Sequence, residues 1–287
     1  MIAHFDILDR CSEASRPFNE DAHGATATAA WVIDGAKGPF DHRLTPGPSD
    51  ASWYAQTLNE LLVAHYQDLP LDPFRSLSEA AERLARVYGE IAREAPPHEQ
   101  PSACLSLATL DSAMTSLNLF NIGDCRVMID RAGIVSSFGS SGIEGLERDA
   151  IAELSLLRNQ VGRAGHPWTE LRGMIRRNFE TAMNRPGGYW VTHPSLPWLH
   201  EVQRKAMPLR EIDHVLIASD GFFRLVNVFH AYDESGLVAA ACARGLSTLC
   251  AELRSREDDD PDCRSYPRLK AKDDATAVLA RIRHSAN

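Results

Sequence analysis

The sequence predicts an α+β fold, with one sheet system and helices packed on its faces. Three observations carry this. Apolar runs of strand length cluster in the middle of the chain with short turns between them, as in an antiparallel meander. Stretches of helical periodicity stand before and after that meander instead of alternating with each strand. The remaining strands come from distant parts of the chain, and one shared sheet system accommodates them better than two domains do.

Residues 2–7 form a short strand candidate, followed by a polar loop in which Arg16 and Asn19 lead into Glu20 and Asp21. The apolar run 27–33, with Trp31, Val32 and Ile33 near its end, reads as a buried strand. It separates two acidic points, Glu20 with Asp21 and Asp34 with Gly35. For both to meet, the strand before Asp21 must pair back against this run. A glycine after Asp34 permits a sharp turn there. Residues 38–50 are rich in Pro and Gly and read as a loop. Pro48, Ser49 and Asp50 then cap a helix to about Gln67, with Tyr54, Leu58, Leu61 and Leu62 on one face. Ser76, Leu77, Ser78 and Glu79 have the form of a capping box. The helix they open buries Leu77, Leu84, Val87, Tyr88 and Ile91 before Pro96 and Pro97 stop it.

The meander comprises 103–110, 114–122, 126–130 and 134–138, with hairpin connections at 111–113 and 130–133. Helical spacing returns at 143–159 and 169–183, separated by a Gly/His/Pro linker at 162–167. Gly187 and Gly188 precede a strand at 189–192. A further buried strand, 215–218, ends in Ser219, Asp220 and Gly221. An Ala-rich helix at 237–256 and a closing strand at 275–282 complete the chain.

The 287 residues are 44% hydrophobic and 24% charged, an ordinary globular composition. Thirty-nine acids against 30 Lys and Arg give a net charge of −9, which argues against a nucleic-acid partner. No apolar run reaches the roughly 18 residues of a membrane span, and the charged N-terminus does not read as a secretory signal. The six cysteines (Cys11, Cys104, Cys125, Cys242, Cys250, Cys263) show no CxxC pairing and read as reduced thiols of a cytoplasmic protein.

Five points put Asp at the edge of a predicted strand: Asp21, Asp34, Asp124, Asp220 and Asp273. Asp at a strand end commonly serves a turn. Asp34 and Asp220, however, each follow an apolar run that makes sense only as a central strand. Carboxylates gathered at such ends repel each other unless a cation sits between them, and hard divalent ions suit oxygen ligands. Two such ions would generate a hydroxide suited to attack at phosphorus.

Taken together, Arg16-x-x-Asn19-Glu20-Asp21, Val32-x-Asp34-Gly35, Gly123-Asp124-x-Arg126, Ala218-Ser219-Asp220-Gly221 and Asp273-Asp274-x-Thr276 resemble, in order and spacing, the metal-dependent (type 2C, PPM) serine/threonine protein phosphatases. The match spans almost the whole chain and is most similar to divergent bacterial members. The resemblance implies a four-layer αββα sandwich, formed by residues 1–287 as a single domain, with a flap or insert at about 139–185. It implies two Mn²⁺ or Mg²⁺ ions in a cleft at one end, and hydrolysis of phosphoserine or phosphothreonine by direct attack of a metal-bridging water. Asp34 would bridge the ions, with the Gly35 carbonyl on one of them, and Asp220 and Asp273 would bind the other. Glu20 and Asp21 would act through metal-bound water, and Arg16 would grip the substrate phosphate. Asp124 matches the position that, with Asp220, holds a third, weaker ion.

Three departures stand out. The family commonly has Asp-Gly-x-Gly-Gly at the second motif, where this chain has Lys37. Ala36 stands where many eukaryotic members carry a proton-donating histidine; His23 and His42 read as loop residues. Arg224 replaces an acid common in the family. Lys37 and Arg224 favour the alternative of a pseudophosphatase that binds a phosphoprotein or nucleotide; the retained Asp34, Asp220 and Asp273 weigh against it. A small-molecule phosphoesterase is the other alternative. No GxxxxGK[ST] loop, HExxH zinc motif or GxSxG elbow is present.

Overall fold

Two antiparallel five-stranded sheets stack face to face, and helices cover their outer faces, giving four layers. The structure, a computed structural model, describes residues 2–69, 71–92, 94–161 and 168–285. One sheet has the order β1 (Ile2–Glu13), β10 (Ala275–Ser285), β9 (Ile212–Ala218), β6 (Arg126–Arg131), β7 (Ile134–Phe138). The other runs β2 (Asp21–Ala25), β3 (Ala29–Ala36), β4 (Ser102–Leu110), β5 (Ser116–Ile122), β8 (Gln203–Pro208). The α+β class and the αββα layering are as predicted.

Strand periodicity explains why the central runs are apolar at every position. In β3, Ala30 and Val32 enter the core between the sheets, while Ala29, Trp31 and Ile33 face the helices. Both faces are covered, so alternation disappears from the sequence. Helices α1 (Asp50–Tyr66) and α2 (Pro73–Ile91) cover this sheet through Tyr54, Leu58, Leu62, Leu77 and Leu84. On the opposite side lie α5 (Asp220–Asn227), α6 (Glu234–Arg244) and α7 (Leu246–Asp259). The remaining pair, α3 (Ile143–Val161) and α4 (Trp168–Thr181), shares a small cluster around Ala150, Leu171 and Met174. Arg172 of α4 donates to the Pro39 carbonyl at 3.0 Å, tying this pair to the loop ahead of α1.

Several expectations are corrected. The first strand continues to Glu13, where its pairing with β10 keeps it extended. Asp21 opens a strand of its own, and the hairpin β2–β3 places it directly opposite Asp34; no earlier strand is needed. The second helix starts at Pro73, because Asp72 accepts the N–H groups of Phe74 and Arg75. Ser76 therefore lies inside the helix, its N–H donating to the Asp72 carbonyl at 3.1 Å, and is not the cap; Val87 is half-buried, and Ile91 is exposed. Residues 189–192 make only isolated bridges. Gly245, at φ +80°, divides the stretch 237–256 into α6 and α7. Strand β8 and helix α5 were not predicted. The linker at 162–167 lies outside the described residues. Cys11 of β1 and Cys250 of α7 form a disulfide across 239 residues, a pairing that local spacing cannot reveal. Among the described residues no helix is long and apolar enough to cross a membrane.

Trp31 is fully buried, donates to Asn59 Oδ1 at 2.8 Å, and packs against Tyr66 with ring centroids 6.2 Å apart. Trp31→Ala should lower the free energy of unfolding by about 3–5 kcal/mol in chemical denaturation. A loss below about 1 kcal/mol would mean that the sheet–helix layer is not packed around it.

Candidate metal centre

Backbone packing first fixes where the acids stand. Asp21 and Asp34 are cross-strand neighbours in β2 and β3. Gly35 is an ordinary strand residue and not a turn; its N–H donates to the Glu20 carbonyl at 3.1 Å. A Cβ on Gly35 would stand 2.4 Å from that carbonyl oxygen and 2.7 Å from that of Ala51, so the glycine is there for close approach. Asp124 sits in the turn between β5 and β6, behind Gly123 at φ +88°. Asp220 leaves β9 as the first residue of α5. Here a Cβ on Gly221 would meet the Asp274 carbonyl oxygen at 2.0 Å, so the α5 start and the loop before β10 touch backbone to backbone.

Four of the predicted aspartates converge. The Asp34 and Asp220 carboxyls lie within hydrogen-bonding reach, and Asp21 and Asp124 also act on Asp34 electrostatically. Asp21 is buried, and Asp34, Asp124 and Asp220 are half-buried. Desolvation, then the charges of its neighbours, pushes Asp34 well above the usual carboxylate range. Asp21 is pushed up in the same way, against a Thr276 side-chain hydrogen bond. Asp124 is pushed up to about 7, by desolvation and then Asp220. Asp21 Oδ2 and Asp124 Oδ1 are buried without a partner. Crowded, desolvated carboxylates with orphaned oxygens are the donor set a hard divalent cation satisfies. Among the described residues, no three of these acids bring carboxylate oxygens within 4.8 Å of one another.

The other predicted residues stand differently. Asp273 has both oxygens engaged, by Arg224 at 2.9 Å and by Lys270 at 2.9 Å. Burial alone would raise its pKa, but Lys270 and Arg224 outweigh this and hold it below the usual range. Arg16, half-exposed, pairs with Glu20 at 2.6 Å. Lys37 bonds Asp50 and the His42 carbonyl, so it braces the loop ahead of α1. His23 lies in β2 and not in a loop, and His42 pairs with Glu99 at 2.9 Å.

Sequence reasoning missed three contributors. Asp274 accepts the Ser15 N–H at 2.7 Å, the Ser15 hydroxyl at 2.8 Å and the Glu20 N–H at 2.7 Å, fixing the loop that carries Arg16 and Glu20. Its place beside Asp273 was the available signal. Glu147 of α3 feels Asp220, Arg224, Asp273 and Lys270, and desolvation pushes it up to about 6. Nothing in the α3 pattern distinguishes it from a surface acid. Lys270, the third, is one of only four lysines in the sequence, but it stands in a polar stretch with no pattern that marks it.

No protein-family model matches the chain, and no curated protein matches it by sequence. Solved structures do match. The serine/threonine phosphatase PstP/Ppp of Mycobacterium tuberculosis superposes with a TM-score of 0.57 at 15% identity, covering 99% of this chain and 100% of that one. PppA, a regulatory component of the type VI secretion system in Pseudomonas aeruginosa, gives 0.57 at 16% identity, covering 98% and 100%. The PstP catalytic domain in complex with two manganese ions gives 0.55 at 16% identity, covering 99% and 100%. At these identities the likeness establishes the fold.

Asp21, Asp34 and Asp124 have folded-state pKa values above their unfolded ones, so the stability linked to them is complete below about pH 4 and is lost as pH rises through the folded values, near 7 for Asp124. The metal-free protein should therefore melt several degrees lower at pH 8 than at pH 5.5, and Asp124→Asn should shrink the difference. A melting temperature that is flat or rises over that interval in calorimetry would contradict the crowding.

Proposed function

We propose that this chain is a metal-dependent protein serine/threonine phosphatase of type 2C, acting on phosphoserine or phosphothreonine in proteins. The observation that carries the reading is the convergence of Asp21, Asp34, Asp124 and Asp220, from both sheets, with orphaned carboxylate oxygens among them. The fold shared with bacterial serine/threonine phosphatases supports it, and the manganese complex of PstP supports a divalent ion. In this reading residues 1–287 act as one catalytic unit, and α3, within 139–185, brings Glu147 toward the carboxylates.

Asp21, Asp34, Asp124 and Asp220 would hold the divalent ion, with the Gly35 carbonyl beside them. A bound ion would supply charge against the phosphate oxygens and lower the pKa of a water. Glu20 and Asp21 would orient that water. Arg16, half-exposed and paired with Glu20, would offer substrate a planar fork that fits two phosphate oxygens once it leaves Glu20. Asp274 holds the loop carrying both residues, so Arg16 meets substrate from a braced backbone. Binding of a phosphoprotein without turnover is the second reading, favoured by the ion-paired state of Asp273.

Hydrolysis of a phosphothreonine peptide and of an aryl phosphate should require Mn²⁺ or Mg²⁺, and Asp220→Asn should lower kcat/KM at least about 100-fold. Metal-independent turnover would remove this mechanism, whereas tight phosphopeptide binding without turnover would support the second reading. Arg16→Ala should raise KM about tenfold with little change in kcat, the signature of lost ground-state phosphate binding. An unchanged KM would mean that Arg16 stays on Glu20.

A further inference from the structure

The carboxylate group at the cleft is asymmetric. On one side, Asp21 and Asp124 keep buried oxygens with no partner. On the other, Arg224 Nη2 donates to Asp273 Oδ2 at 2.9 Å and Lys270 Nζ donates to Oδ1 at 2.9 Å. The Asp274 N–H adds a bond to Oδ1 at 3.1 Å. Both Asp273 oxygens therefore carry hydrogen bonds from cationic side chains.

Arg224 is held firmly in this role. It lies one helical turn beyond Asp220 in α5, so both side chains leave the helix on the same side. Its residue is only 4% exposed. Its other arm, Nη1, donates to Glu257 Oε1 at 3.1 Å, and Arg254 holds the second Glu257 oxygen at 2.6 Å. Arg254 also donates to the Asp273 carbonyl at 2.7 Å. A divalent ion at Asp273 would have to strand a buried guanidinium and lie against two positive charges. Both charges also act on Asp220, so their field reaches the other carboxylates.

Building on the phosphatase reading above, we propose that Arg224 and Lys270 stand at Asp273 in place of one of two divalent ions. Together they carry two positive charges, as many as the ion they replace. Asp273 is then a structural anchor for these cations and not a metal ligand. Metal binding belongs to the side of Asp21, Asp34, Asp124 and Asp220.

The test is equilibrium dialysis of the full chain against Mn²⁺ alone, with elemental analysis, and a thermal melt of each variant to confirm folding. Asp34→Asn should weaken Mn²⁺ binding more than about tenfold, as expected for a ligand. Asp273→Asn should bind as many ions as the native chain, with affinity within about twofold, while melting lower because its ion pairs are gone. Arg224→Met combined with Lys270→Met should bind one additional Mn²⁺ per chain. Glu257 keeps Arg254 in that variant, and Lys270, about half-exposed, tolerates replacement. Loss of an ion, or of about tenfold in affinity, in folded Asp273→Asn would overturn the substitution and leave the phosphatase reading standing. Unchanged stoichiometry in the folded double variant would also overturn it. A native chain that binds no Mn²⁺ would overturn the metal-dependent reading and the substitution together.

Discussion

Carboxylates crowded at one end of the sandwich set the terms for everything around them. Each of Asp21, Asp34 and Asp124 has lost hydration and gained negative neighbours, and each is pushed toward its protonated form as a result. Such a group is unfavourable in itself, so the rest of the fold must hold it together. Strands covered on both faces do this. Val32 lies in the core between the sheets, and Trp31 and Ile33 in the core beneath α1, so the end of β3 cannot swing away. The hairpin register then brings Asp21 against Asp34.

Close backbone contact completes the arrangement. Gly35 lets β3 approach the Glu20 carbonyl, and Gly221 lets α5 approach Asp274. In both cases the missing Cβ brings two segments together; neither glycine adopts a left-handed conformation. Asp274 turns the second contact to use by accepting three hydrogen bonds from the loop that carries Arg16 and Glu20. Lys37 shows the opposite outcome. It sits next to the site in sequence, yet Asp50 draws it into the loop ahead of α1.

Much of this was legible in the residues. Continuous apolar runs ending in Asp marked β3 and β9, because a strand buried on both faces leaves no polar positions to interrupt it. The α1 cap was legible too: Ser49 accepts the Ser52 N–H at 3.0 Å. What failed depended on partners far away in the chain. The edge strand β8, with its three exposed residues in a row, has no apolar run and exists because β5 pairs with it. The split between α6 and α7 rests on a single glycine in an otherwise helical pattern. The Cys11–Cys250 bridge joins residues that become neighbours only after β1 and α7 pack. Arg224 was legible as a departure but not as a consequence, since its partners Glu257 and Asp273 lie 33 and 49 residues away.

Negative charge at this end of the sandwich is thus met in two ways: by Arg224 and Lys270 around Asp273, and, in the proposed function, by a divalent ion among the remaining aspartates. The most direct measurement is the anomalous diffraction of crystals grown with Mn²⁺, collected at the manganese edge. A peak within ligand distance of Asp34 and Asp220, with Asp273 still bonded to Arg224 and Lys270, is the expected result. Crystals with no peak among Asp21, Asp34, Asp124 and Asp220 at saturating Mn²⁺ would contradict it.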